Sequence, residues 1–241
     1  MTPKINHMIE AGKGLHAVGK YTEAMQCYRQ AYQCHAESAE LNSLIGQLLA
    51  LECDFHTAKD YFLAASVLEP AEFKHVFNLG YCLQSMEDYD AAMQCYQNAS
   101  MLKGQISLAL SEWGHCLLHK RDFKSAVRVL KKALKFDVNH AQTWSDLGLS
   151  YMEVGKLADA DRCLRKSDHL RTNFEIKYRQ CRLALLTVDR ASFSRNFIEA
   201  LRFAASNAQQ LQKLKHLVDE QKSINLGELY YHRLNRAIGL G

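Results

Sequence analysis

Small and large apolar residues recur along this chain at a constant spacing of 34 positions. Glycines stand at Gly12, Gly46, Gly80, Gly114 and Gly148, and alanines at Ala24, Ala58, Ala92, Ala126 and Ala160. Large apolar residues follow the same spacing at Tyr28, Phe62, Tyr96, Leu130 and Leu164. A glycine inside a helix costs roughly 1 kcal/mol against alanine, so five in register need a packing reason, which a close neighbouring helix supplies. The pattern predicts stacked helical hairpins, because no single hairpin can cover its own apolar face.

The spacing also predicts where the hairpins begin and end. Five of them are expected at residues 5–38, 39–72, 73–106, 107–140 and 141–174. Beyond Asn173 the pattern weakens, and Arg182 replaces the glycine of a degenerate sixth hairpin. We expect residues 175–241 to hold this hairpin and further helices of the same domain. Those last helices either cap the stack, which needs a polar outer side, or pair with a second chain through residues 209–241.

Over residues 5–173 the chain resembles tetratricopeptide repeat proteins. Two features of that family are kept only once, the proline as Pro70 and the tryptophan as Trp144. The resemblance implies an all-α, right-handed solenoid whose concave groove is formed by the first helix of each hairpin. It also implies a protein or peptide partner. The stretches FNLGYCLQSMEDYDAAMQCY (77–96) and HCLLHKRDFKSAV (115–127) further resemble class II translocator chaperones of type III secretion, which hold an extended partner segment.

Helical spacing places a mixture of aromatic, aliphatic and amide side chains on the predicted groove. The candidate peptide-binding residues are Gln47, Lys74, Phe77, Tyr81, Leu108, Ser111, His115, Leu118 and His119. This mixture suits an extended or helical peptide whose side chains enter pockets while its backbone meets polar groups. The alternative is that Phe77 and Tyr81 only pack against the next hairpin. A second alternative for the whole chain is a structural subunit that assembles through its C-terminal helices.

The sequence offers little for chemistry. His115 and His119 are four residues apart in HCLLH, but two imidazoles alone rarely make a metal site, and cysteine stands where zinc proteases have glutamate. There is no phosphate loop, no GxSxG motif and no acid–base pair singled out by the repeat. We therefore predict no catalytic residue, no cofactor and no metal.

Composition and charge refine the prediction. The 241 residues carry a net charge of +4, with only 2 prolines, and no apolar run is long enough to span a membrane. Eight cysteines without a CxxC pair suggest free thiols in a reducing compartment, so a cytoplasmic location is expected. Basic residues are densest at Arg121, Lys124, Arg128, Lys131, Lys132 and Lys135. We expect a solvated outer face there, with an acidic partner as the alternative, and no nucleic acid, because interleaved exposed aromatics are lacking.

Overall fold

The computed structural model describes residues 3–219, which form thirteen helices and no strand, so the predicted all-α fold is confirmed. These residues fall into two compact units that divide between Asp122 and Phe123. The first unit contains α1 Pro3–Ala17, α2 Tyr21–Cys34, α3 Ala39–Leu51, α4 Phe55–Leu68, α5 Phe73–Ser85, α6 Tyr89–Ala99 and α7 Ile106–His119. The second unit contains α8 Phe123–Phe136, α9 Ala141–Glu153, α10 Leu157–Leu170, α11 Phe174–Leu186, α12 Arg190–Ala204 and α13 Ala208–Asp219.

The repeated glycines at positions 12, 46, 80 and 148 are explained by packing inside their hairpins. A Cβ atom on Gly46 of α3 would lie 3.0 Å from the Phe62 ring of α4, and one on Gly148 of α9 would lie 2.8 Å from Leu164 Cγ of α10. Both partners belong to the large apolar series, and both are almost fully buried. The neighbouring helix that the sequence required is thus the second helix of the same hairpin. An added methyl group there would force the two helices apart.

The turns inside the hairpins repeat a single backbone conformation. Residues with positive φ stand at Gly19, Cys53, Glu87, Arg121, Gly155 and Val188. An aspartate follows in four of these turns, and Asp54 accepts from Thr57 N, Asp88 from Ala91 N and Asp189 from Ser192 N, which caps the next helix. A side-chain acceptor at this position satisfies a helix N–H that has no partner within the helix. The turn is therefore kept even where glycine, the residue best suited to it, has been lost.

The second unit ends in a hairpin of α11 and α12 on which α13 packs. Leu211, Leu214, Leu217 and Val218 of α13 are buried in a cluster with Phe174, Phe193 and Phe197. The apolar side of α13 is thus covered within the unit itself. The part of the predicted C-terminal segment from residue 220 onward lies outside the described residues.

No helix among the described residues combines the length and the apolar character needed to cross a bilayer.

Candidate functional site

Three helices of the first unit carry all nine candidate residues, and we call this surface the α3/α5/α7 face. Gln47 lies on α3, and Lys74, Phe77 and Tyr81 lie on α5; the other five lie on α7. Their exposure differs. Lys74, Tyr81 and His119 are exposed, Gln47, Phe77, Leu108 and His115 are partly buried, and Ser111 and Leu118 are buried.

Tyr81 is the most prominent apolar side chain of this face. It remains 47% exposed, although its ring packs edge-to-face on Phe55 at a centroid distance of 6.1 Å. Phe55 is the first residue of α4, so the preceding hairpin holds the tyrosine ring in place. A large aromatic side chain that is positioned by the fold but left uncovered offers contact area at low entropic cost.

Phe77 contributes to both the core and the face. Its ring stacks on Phe73 at 5.4 Å and lies tilted against Tyr96 at 5.3 Å. The ring is nevertheless partly exposed. Of the two aromatic candidates, Phe77 is therefore anchored in the core, whereas Tyr81 projects from it.

A chain of hydrogen bonds lies beneath these aromatic residues and joins three helices. The Tyr96 hydroxyl of α6 donates to Gln84 Oε1 of α5 at 2.6 Å, and Gln84 Nε2 donates to Glu112 Oε2 of α7 at 3.3 Å. Burial raises the pKa of Tyr96, which keeps its hydroxyl protonated as a donor. The chain fixes α5 and α7 relative to each other. The sequence reasoning missed Glu112, although its position four residues after Leu108 and three before His115 indicated the same side of α7.

His115 and His119 contact each other. Their Nε2 atoms are 3.2 Å apart, and the His119 ring stacks on Tyr89 at 4.7 Å. One ring nitrogen must donate and the other accept, so this contact requires at least one neutral imidazole. Cys116 beside them is buried, which raises the pKa of its thiol to about 12 and leaves it a poor metal ligand. Within residues 3–219, no three histidine, cysteine or acidic side chains are placed to hold a metal ion.

The polar candidates Gln47 and Ser111 form hydrogen bonds within their own helices. Gln47 Nε2 donates to Ser43 Oγ on its own helix at 3.4 Å, and the Ser111 hydroxyl donates to the Ser107 carbonyl at 2.9 Å. Lys74 extends from the first turn of α5 and is exposed. The structure thus brings His115 and His119 into direct contact, places Phe77 and Tyr81 one turn apart, and leaves Gln47 and Lys74 at the margin.

The corresponding surface of the second unit, the α9/α11 face, is closed by ion pairs. Arg179 Nη1 donates to Ser145 Oγ and to Asp146 Oδ1, both at 2.8 Å, and Arg179 Nε donates to Glu175 Oε1 at 3.2 Å. Arg179 and Asp146 are both buried. These groups satisfy one another, so they are not available to a ligand. The sequence reasoning missed this cluster, because single charged residues on a helix usually indicate a solvated face.

Comparison with known proteins identifies the repeat. A family model described as "Tetratricopeptide repeat" matches residues 76–105, a range that contains most of α5, all of α6 and the turn between them. The chain therefore contains a tetratricopeptide repeat at residues 76–105. Its similarity to the tetratricopeptide repeat-containing protein trd-1 of Caenorhabditis elegans is 24% identity over 123 residues, which is 51% of this chain and 16% of that protein. The chain therefore corresponds to a small part of this curated relative.

Solved tetratricopeptide structures share the fold. The structure of pilF from Pseudomonas aeruginosa superposes with a TM-score of 0.76 at 17% identity, covering 90% of this chain and 97% of that one. YrrB, described as a tetratricopeptide repeat protein with an unusual peptide-binding site, gives a TM-score of 0.60 at 21% identity, covering 68% of this chain and 84% of that one. At these identities the likeness concerns the helical architecture. A tetratricopeptide scaffold is generally one that binds proteins or peptides, and which surface does so depends on the individual site.

Proposed function

We propose that this protein is a non-enzymatic adaptor or chaperone that binds a peptide segment of a partner protein along the α3/α5/α7 face. The observation that carries this proposal is the uncovered ring of Tyr81, which Phe55 holds in place among partly exposed Phe77, Leu108 and His115. Interface hot spots are enriched in tyrosine and lie among residues that exclude water around them. The partner's side chains would pack around Tyr81.

The polar groups of the face indicate how the peptide backbone would be recognised. The amide of Gln47 can donate to a peptide carbonyl or accept from a peptide N–H group. Lys74 lies on the same helix as Tyr81, and a carboxylate on the peptide near it would gain a charge-assisted hydrogen bond. We therefore expect an apolar peptide segment with at least one acidic residue at the point where it passes the first turn of α5.

The alternative, a structural subunit that pairs through its C-terminal helices, has less support. The apolar side chains of α13 are already buried against α11 and α12, so this helix offers a second chain little apolar surface.

The cellular location that we propose is the cytoplasm. All eight cysteines are free thiols, which supports a reducing compartment.

The test begins with affinity capture of partners from the native source and mass spectrometry of the captured proteins. Binding of the identified partner segment is then measured for the unchanged protein and for the Tyr81→Ala variant. Phe203→Ala is the matched control, because Phe203 is also an exposed aromatic residue, at 45%, but lies on α12. We expect Tyr81→Ala to weaken binding by at least about tenfold and Phe203→Ala to leave it unchanged. Equal binding by all three proteins would show that the α3/α5/α7 face is not the site.

A further inference from the structure

The second unit contains an open groove with a volume of about 500 Å³ that the proposed function does not use. Its walls are α8 and α10, and its floor comes from α9 and the preceding loop. The floor residues Trp144, Leu147 and Tyr151 lie on a different side of α9 from Ser145, which belongs to the α9/α11 face. The groove is therefore a separate surface, and we call it the α8/α10 groove.

The floor of the α8/α10 groove is apolar and firmly held. Trp144 Nε1 donates to the Val138 carbonyl at 2.7 Å, which fixes the indole ring against the loop between α8 and α9. Among the other apolar residues that line the groove, Leu147 and Cys163 are buried, whereas the Val138 side chain is 51% exposed. Uncovered apolar surface bounded by polar residues is typical of an interaction site.

The walls carry four basic residues in two facing pairs. Lys131 and Lys135 are four residues apart on α8, and Arg162 and Lys166 are four residues apart on α10; all four are exposed. The acidic residue at the groove, Asp159, forms an ion pair with Arg162. Like charges four residues apart on a helix are mildly destabilising. This arrangement costs some stability that an anionic ligand would restore.

Cations on both walls are not a general feature of the repeat. The corresponding positions of the first unit, 68 residues earlier, are Leu63 and Val67 on α4 and Gln94 and Asn98 on α6. None of these four is charged. The equivalent helices α4 and α6 therefore carry no cation at these positions, whereas α8 and α10 carry one basic pair each beside an apolar floor.

We propose that the α8/α10 groove docks an acidic amphipathic segment of a partner protein, with apolar side chains on the Trp144 floor and carboxylates between the two basic pairs. An amphipathic helix whose apolar stripe is flanked by acids matches this arrangement, since such helices bind grooves through side chains spaced three and four residues apart. Carboxylates on both flanks would meet a lysine or arginine on either wall. The chain's own residues 220–241 do not fit, because they contain Lys222, Arg233 and Arg236 against Glu220 and Glu228.

The probe for this proposal is a fluorescein-labelled synthetic peptide of about 14 residues, or four helical turns, with leucine at helical spacing and glutamate on both flanks of the apolar stripe. Its binding is measured by fluorescence anisotropy, and a change in Trp144 emission in a Trp113→Phe background reports occupancy of the floor. We expect the Lys135→Glu/Lys166→Glu variant to bind it at least about tenfold more weakly. The matched control is Lys124→Glu/Lys132→Glu, which changes the net charge equally at exposed positions of α8 outside the groove, and it should bind within about twofold of the unchanged protein.

Three results would overturn the proposal. Undiminished peptide binding by Lys135→Glu/Lys166→Glu would remove the groove from consideration. Equal binding of a scrambled peptide of the same composition would show attraction by charge alone. Binding of phosphatidylserine vesicles or of an oligonucleotide through Lys135 and Lys166, without binding of the peptide, would assign the groove to another ligand class. Because Tyr81 lies in the first unit, Tyr81→Ala should leave peptide binding at the groove unchanged, which keeps this test independent of the proposed function.

Discussion

The α3/α5/α7 face and the α9/α11 face occupy the same repeat positions but use them for different purposes. The position of Tyr81 on α5 is taken by Leu149 on α9, and that of Phe77 is taken by Arg179 on α11. In the first unit these side chains leave an aromatic surface uncovered; in the second the arginine enters a buried ion-pair cluster with Asp146. The repeat thus fixes where a side chain lies, while its chemistry decides whether the surface stays uncovered or is closed by ion pairs that stabilise the fold.

Removing the arginine from the cluster should have the largest effect. Arg179→Ala leaves the buried Asp146 carboxylate without its cation, and loss of one partner of a buried pair costs about 3–5 kcal/mol. Urea denaturation followed by circular dichroism measures the free energy of unfolding. Replacing both partners by apolar residues, Asp146→Leu/Arg179→Met, should cost less than the single change, since no unpaired charge remains. A loss below about 1 kcal/mol for Arg179→Ala would contradict a structural role for the cluster.

Truncating the exposed Tyr81 should weaken partner binding strongly and change the free energy of unfolding little, whereas Arg179→Ala should mainly lower the free energy of unfolding. Tyr81→Ala should weaken binding of the partner segment by about 1.4 kcal/mol or more, which is tenfold in Kd, but change the free energy of unfolding by less than about 1 kcal/mol. The small cost in stability follows from its 47% exposure. Isothermal titration calorimetry and urea denaturation provide the two readouts. Leu149→Ala, at the same repeat position in α9, is the matched control for binding, and it should bind the segment normally.

Glycine substitutions in the hairpin turns should stabilise both units. The difference between the units is therefore expected to be confined to the α3/α5/α7 face and the α9/α11 face. Val188 adopts φ 56°, a conformation that is strained for a β-branched residue. Val188→Gly should therefore stabilise the second unit by about 1 kcal/mol, and Glu87→Gly, with φ 62°, should stabilise the first by about 0.5 kcal/mol. Thermal denaturation of the two variants measures these gains. Destabilisation by either change would mean that the left-handed turn is not formed there.

The smallest effect is expected from the peripheral ion pair of the second unit. Arg182 Nη2 lies 3.0 Å from Glu153 Oε1, and both side chains are partly exposed. Arg182→Ala should cost about 0.5 kcal/mol in the free energy of unfolding, and added salt should reduce this cost further. The difference from Arg179→Ala isolates the contribution of burial, because both substitutions remove an arginine from the same helix. Equal costs for the two variants would show that burial of the cluster is unimportant.

Much of the fold could be predicted from the sequence, because the positions of Gly46 and Phe62 repeat with the helical hairpin. Aspartates such as Asp54 also indicated helix caps, and the structure shows the expected hydrogen bond to Thr57 N. Val188 could not be recognised as a turn residue, since it carries none of the side-chain chemistry that favours a positive φ. The turn is held there by the flanking helices.

The candidate site could be predicted only as a set of positions. Helical spacing placed Ser111 and Leu118 with Tyr81, yet packing buries the first two and leaves the tyrosine exposed. Exposure depends on which neighbouring side chain covers a residue, and periodicity within one helix does not report that. The Arg179 cluster was not predicted, because single charged residues usually indicate a solvated face and because its partners come from two helices.

Photo-crosslinking tests the contrast between the two faces most directly. p-Benzoylphenylalanine is placed at residue 81 in one variant and at residue 149 in another, and each is irradiated with the partner segment identified by affinity capture. We predict a crosslink from residue 81 of α5 and none from residue 149 of α9. A crosslink from residue 149 with none from residue 81 would contradict it, because the partner would then lie on the face that the ion pairs close.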